Sequence, residues 1–79
     1  MKRAPLLSLH AVAASGRVVT IARADGRSTL RCCSEGWAGH VARVAQARLR
    51  RETVPADRAG VERFLCRLLR QIAAERGRP

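Results

Sequence analysis

The 79 residues amount to one domain near the lower limit of a self-sufficient core, which excludes a second folded unit within this sequence. A hydrophobic share of 47% excludes a disordered tail, and the lack of an 18-residue apolar run excludes a helical membrane span. The net charge of +10 and a pI near 11.7 point instead to polyanionic partners: nucleic acid, an acidic protein surface or an anionic membrane.

The first residues, Met1-Lys2-Arg3 followed by apolar Ala4 to Val12 and the A-x-A pattern Ala11-Val12-Ala13, imitate a secretory leader. Pro5, Ser8 and His10 interrupt the apolar run, so the stretch is expected to belong to the domain.

From Leu6 to Ser34 the pattern predicts three short strands joined by tight turns. Asp25-Gly26 between two alternating runs is a strong hairpin signal, because type I′ turns need positive φ at both central positions. A two-residue loop there pairs Ile21 with Leu30 and Val19 with Cys32. For the preceding turn, a three-residue loop Ala14-Ser15-Gly16 sets Leu9 opposite Ile21 and Ala11 opposite Val19. A two-residue loop would turn Leu7 and Leu9 to the wrong face. The expected inner face is Leu7, Leu9, Ala11, Val19, Ile21, Leu30 and Cys32. The outer face carries Ser8, His10, Thr20, Ala22, Arg27, Thr29 and Arg31, with Val18 and Cys33, and is mixed in character.

Ser34 is placed to cap a helix from Glu35 to about Arg51, burying Trp37, Val41, Val44, Ala45 and Leu49. Gly36 and Gly39 weaken its first turns or admit a close backbone. Pro55 stops the chain from continuing as helix. A second helix then runs from Pro55–Asp57 to about Glu75, with Gly77-Arg78-Pro79 fraying beyond it. Its residues Val61, Phe64, Leu65, Leu68, Leu69 and Ile72 follow the spacing of one helical face. Arg63, Arg67 and Arg70 fall together on the opposite face.

The fold expected is α+β: a three-stranded antiparallel meander packed against two C-terminal helices, in the order βββαα. It forms a single small basic domain over residues 1–79, with strands at about 6–34 and helices at about 35–52 and 56–76. Alanine supplies much of the apolar count, so the core is thin and a homodimer is one way to supplement it.

The arginines dominate the chemistry. Lys2 is the single lysine among 16 basic residues, a bias that GC-rich coding also produces. Arg63, Arg67 and Arg70 stripe the second helix, and Arg43 and Arg50, with Gln46, stripe the first. Ordinary solvated helix faces mix in lysine and glutamate, and these stripes carry no acid. The guanidinium fork suits phosphate because it donates two hydrogen bonds at once. Arg27 and Arg31 on the outer sheet face are candidate groove contacts with a duplex. In outline, three strands followed by a helix is similar to small sheet-reading DNA-binding domains of the plant AP2 and integrase arm-binding kinds. With Trp37 and Phe64 as the aromatics, stacking platforms for single strands are lacking.

Catalysis finds little to use. Asp25, Glu35, Glu52, Asp57, Glu62 and Glu75 are dispersed, and neither His10 nor His40 has an orienting partner beside a cysteine. Cys32, Cys33 and Cys66 lack metal-ligand spacing and read as reduced thiols of a cytoplasmic protein, with a Cys32–Cys66 or Cys33–Cys66 bridge left open. No cofactor, metal or catalytic residue is expected. The function expected is non-enzymatic binding of double-stranded nucleic acid through arginine-lined faces. The alternative is a small phage or mobile-element inhibitor, anti-CRISPR-like, that occupies an acidic surface of a host nucleic-acid-handling complex.

Overall fold

The computed structural model describes residues 5–76. The leader-like Met1-Lys2-Arg3 and the terminal Gly77-Arg78-Pro79 lie outside the described residues. The chain forms strands β1 (Val12–Ser15), β2 (Val18–Arg23) and β3 (Gly26–Arg31), then helices α1 (Glu35–Leu49) and α2 (Arg58–Arg76). The sheet is an antiparallel meander in the order β1-β2-β3, so the arrangement is the α+β βββαα of the sequence reading.

Both helices pack on one face of the sheet, α1 against β1 and β2, α2 against β2. Val12, Val19 and Ile21 from the sheet meet Ala38, Val41, Ala42 and Ala45 of α1 and Val61, Phe64, Leu68 and Ile72 of α2. Phe64 and Leu68 are fully buried, and each large apolar side chain so removed from water contributes about 1.5–3 kcal/mol. The buried stripe of α2 is narrower than its apolar pattern: Leu65 is half-buried and Leu69 is 38% exposed. On α1 the buried line is shifted toward the small residues Ala38 and Ala42, leaving Trp37, Val44 and Leu49 on its flanks.

The ladder departs from the expected registers in two ways. The β2–β3 loop is Ala24-Asp25, with Arg23 paired to Gly26, so Val19 faces Leu30 and Ile21 faces Ser28. The Ala24 N–H donates to the Ala56 carbonyl at 3.0 Å, which takes residue 24 out of the ladder. Gly26 supplies the positive φ at the head of β3 (142°), and no other residue around this turn adopts one. A displacement of two residues preserves side-chain alternation, so Val19 and Ile21 keep the inner face.

The β1–β2 turn differs with greater consequence. Its loop is the two residues Gly16-Arg17, and Val12 lies opposite Ile21. Gly16 has φ 58°, a positive value in the first loop position such as a type II′ turn requires. This odd displacement moves Val12 into the core (3% exposed) and leaves Leu9 partly outside it. Leu9 and Ala11 are not strand residues, because Leu9–Ala11 forms one turn of 3-10 helix before β1 starts at Val12. The first strand of the meander therefore begins at Val12 and not at Leu6.

Leu7 is half-buried by another route. Residues 5–7 run antiparallel to residues 54–56, with Leu7 N–H donating to the Val54 carbonyl (2.9 Å) and Ala56 N–H to the Pro5 carbonyl (2.8 Å). Val54 and Ala56 are buried by this stitch. The caps close both helix starts. Ser34 accepts from the Trp37 N–H at 3.1 Å, and Asp57 accepts from the Gly60 N–H at 2.7 Å.

Gly60 is held against the stitch: a β-carbon there would stand 2.4 Å from the Pro55 carbonyl oxygen. Gly36 and Gly39, by contrast, face open space. Gly60→Ala should therefore destabilise the fold by about 1–3 kcal/mol through overpacking, whereas Gly39→Ala should stabilise it by up to about 1 kcal/mol through helix propensity. Urea denaturation of the two variants beside the parent measures both signs.

Candidate nucleic-acid interface

Burial of Val61, Phe64, Leu68 and Ile72 against the sheet turns the opposite ridge of α2 to solvent. On that ridge Arg63, Arg67 and Arg70 come together as read from the sequence, lining an open groove of about 500 Å³ with Ala59, Glu62 and Cys66. Arg43 and Arg50 are exposed on α1, Arg50 as its C-cap residue. A cation there also complements the negative end of the helix dipole.

Gln46 does not join them. It is half-buried and donates from Nε2 to the Val12 carbonyl at 3.2 Å, tying α1 to β1.

The stripes are not free of acid. Glu62 lies in the groove and pairs with Arg58 at 3.0 Å. Glu52, from the segment after α1, reaches Arg67 at 3.2 Å and Arg48 at 3.3 Å. Arg48 also donates to Gln71 Oε1, and Gln71 donates onward to Glu75 at 3.2 Å. This network joins the end of α1 to α2 and gives Arg48 a structural role. Its side chain is only 24% exposed. Glu52 is ten residues or more from the arginine stripe of α2, so helical spacing within that stripe carries no trace of it.

Among the described residues the remaining ion pair is Arg23–Asp25, 3.2 Å from Nε to Oδ1 but off the hydrogen-bond direction. Arg43, Arg50, Arg63, Arg70, Arg27 and Arg31 have no carboxylate partner among the described residues.

Arg27 and Arg31 stand apart from the helix arginines. Alternation along β3 puts both on the outer sheet face, opposite Ala22 and Val18 of β2, and both are exposed. Arg27 also lines a cleft along the β3 edge with Ser28, Arg58 and Glu62. The exposed Arg17, in the β1–β2 turn, adds a third charge at the Arg31 end, where its carbonyl accepts from the Cys32 N–H at 2.7 Å. A three-residue loop Ala14-Ser15-Gly16 would have put Arg17 inside a strand, whereas the Gly16-Arg17 turn exposes it.

The cysteines are free thiols, Cys32 buried and Cys33 and Cys66 exposed. Burial, reinforced by the adjacent Cys33, pushes the Cys32 thiol above its ordinary ionisation range. The His40 ring packs on Trp37 with centroids 5.3 Å apart. No group of histidine, cysteine and carboxylate residues suited to a metal ion occurs among the described residues.

The chain matches no protein-family model, and comparison with curated proteins and with solved structures returns no significant match.

Arg48→Ala should lower stability by about 1–2 kcal/mol through lost charge-assisted hydrogen bonds, a fall in Tm of about 4–8 °C per kcal/mol at this size. Arg63→Ala and Arg70→Ala should stay within about 0.5 kcal/mol of the parent. Calorimetry on the three proteins separates the structural arginine from the free ones.

For the thiols, a colorimetric thiol reagent should modify Cys33 and Cys66 rapidly and Cys32 only on unfolding. Because the raised Cys32 keeps its proton in the folded state, its contribution to stability is complete below the unfolded thiol's pKa and declines as pH rises toward the folded value. A Cys32→Ala variant should lose that alkaline slope in pH-dependent melting.

Proposed function

We propose that this is a non-enzymatic, basic protein of the cytoplasm that binds double-stranded nucleic acid through its phosphates, using the outer face of the helix layer. The observation that carries the reading is the pair Arg63 and Arg70: two exposed guanidiniums in one groove, without a carboxylate partner among the described residues. Seven residues of helix separate them by about 10 Å, the axial rise of about three base pairs of duplex. Arg43 and Arg50 extend the positive surface onto α1. Arg67 contributes less, because binding phosphate competes with its bond to Glu52. The exposed free thiols Cys33 and Cys66 support a reducing compartment. Among the described residues, no helix is long and apolar enough to cross a membrane.

A second reading draws on the same groove. Ala59 and Cys66 add apolar surface, and Glu62 is an acid that a phosphate backbone would repel. These features suit an acidic protein surface, as a small mobile-element inhibitor of a host complex would occupy.

Titration of a labelled 20-base-pair duplex at 50 and 200 mM salt tests the first reading. Affinity should fall steeply with salt, and the double variant Arg63→Ala, Arg70→Ala should bind more weakly with a salt slope shallower by about 2. No binding by the parent at 50 mM salt sinks the nucleic-acid reading, and the double variant then becomes the negative control for a pull-down of protein partners.

A further inference from the structure

We infer that the protein has two separate duplex-binding faces and bridges two duplexes, an inference that rests on the nucleic-acid reading above. The fold divides its unpartnered arginines between opposite sides. Arg43, Arg63 and Arg70 emerge from helices whose other faces are buried against the sheet. Arg31 and Arg27 emerge from β3 at positions alternate to those that fill the core, Val19 and Ile21 of β2 among them, and Arg27, at the β3 edge, also borders a cleft it shares with Arg58 and Glu62 of α2. Arg17 joins them from the adjoining turn.

The outer sheet face suits a duplex by charge and by shape. Its strand residues other than arginine are Ala13, Ser15, Val18, Thr20, Ala22 and Thr29, short side chains among which no acid occurs. Arg27 and Arg31, four residues apart, are separated by about 13 Å of strand, close to the roughly 12 Å width of a major groove. Glu62 lines both the helix groove and the cleft beside Arg27, so one acid borders both faces.

One straight duplex cannot touch both sides of the fold. Even the shortest dimension of the molecule is 18 Å, about twice the screening length of roughly 8 Å at physiological salt. Each face therefore attracts phosphate with little influence from the other, and two duplexes held on opposite sides repel each other weakly.

The test uses a bead-bound 30-base-pair duplex, a fluorescent duplex in solution and the full chain at 50 mM salt. Two variants each lose three charges: Arg17→Ala, Arg27→Ala, Arg31→Ala on the sheet, and Arg43→Ala, Arg63→Ala, Arg70→Ala on the helices. Circular dichroism checks that these exposed changes leave the fold intact. The parent should carry fluorescent duplex onto the beads, with capture rising and then falling as excess protein saturates each duplex separately. Each triple variant should still bind a single duplex in solution but lose at least about tenfold of the capture. A parent that binds duplex without capturing a second one overturns the bridging while leaving the nucleic-acid reading in place. Capture by either variant at the parental level overturns it too, since self-association would then supply the second duplex, as does loss of all duplex binding from one variant alone. A parent that binds no duplex removes the underlying reading.

Discussion

The three-way stitch at residues 54–56 is the constraint on which the arrangement depends. The Val54 and Ala56 backbones bond to Leu7 and Pro5 on one side, and the Ala56 carbonyl takes the Ala24 N–H on the other. Gly60 then lets the first turn of α2 rest directly on the Pro55 carbonyl. The N-terminal segment, the β2–β3 turn and the start of α2 are thus joined at one point. That junction sets the direction of α2, and with it which side of the helix meets the sheet. Phe64 and Leu68 fill the space beneath, and the arginine ridge is outward because they are inward.

A thin core gives this junction more weight than it would have in a larger domain. Among the described residues, four of the fourteen buried hydrophobics are alanines, Ala38, Ala42, Ala45 and Ala56, which contribute less apolar area than leucine or phenylalanine. Small residues have a compensating use here, since they let α1 lie close to β1, near enough for Gln46 to bond the Val12 carbonyl. The Arg48–Glu52–Arg67 network adds a polar clasp at the other end of the helix pair. Exposed ion pairs are worth little singly, but Arg48 is largely enclosed and has two partners, a stronger arrangement than any surface pair on this chain.

The arginines therefore divide by what they touch. Arg23, Arg48, Arg58 and Arg67 are engaged with the protein's own carboxylates, whereas Arg43, Arg50, Arg63 and Arg70 on the helices and Arg17, Arg27 and Arg31 on the sheet have no such partner among the described residues. Composition alone counts all of them equally. The unpaired subset, by its placement, gives the surface its free positive charge.

The order of elements, the start of α1 and the buried line of α2 were legible in the sequence, because each rests on local chemistry, whereas α2 starts at Arg58, after the Pro55–Asp57 start expected for it. Ser34 caps its own helix, Pro55 cannot continue one, and Phe64, Leu68 and Ile72 recur at the helical period. The grouping of Arg63, Arg67 and Arg70 follows from the same period. What tertiary structure decided was the match between elements. The Leu6–Ala11 pattern alternates like a strand, yet its backbone bonds to residues 54–56, far along the chain, so the first register moved by three and Val12 replaced Leu9 in the core. The Asp25-Gly26 signal was displaced by a single bond from Ala24 to Ala56. Glu52 reached Arg67 across the interhelix gap, and Gly60 rather than Gly36 or Gly39 marked the close backbone approach. Periodicity records which side of an element is apolar. Which partner meets that side, and at what offset, depends on contacts between distant residues that no local window contains.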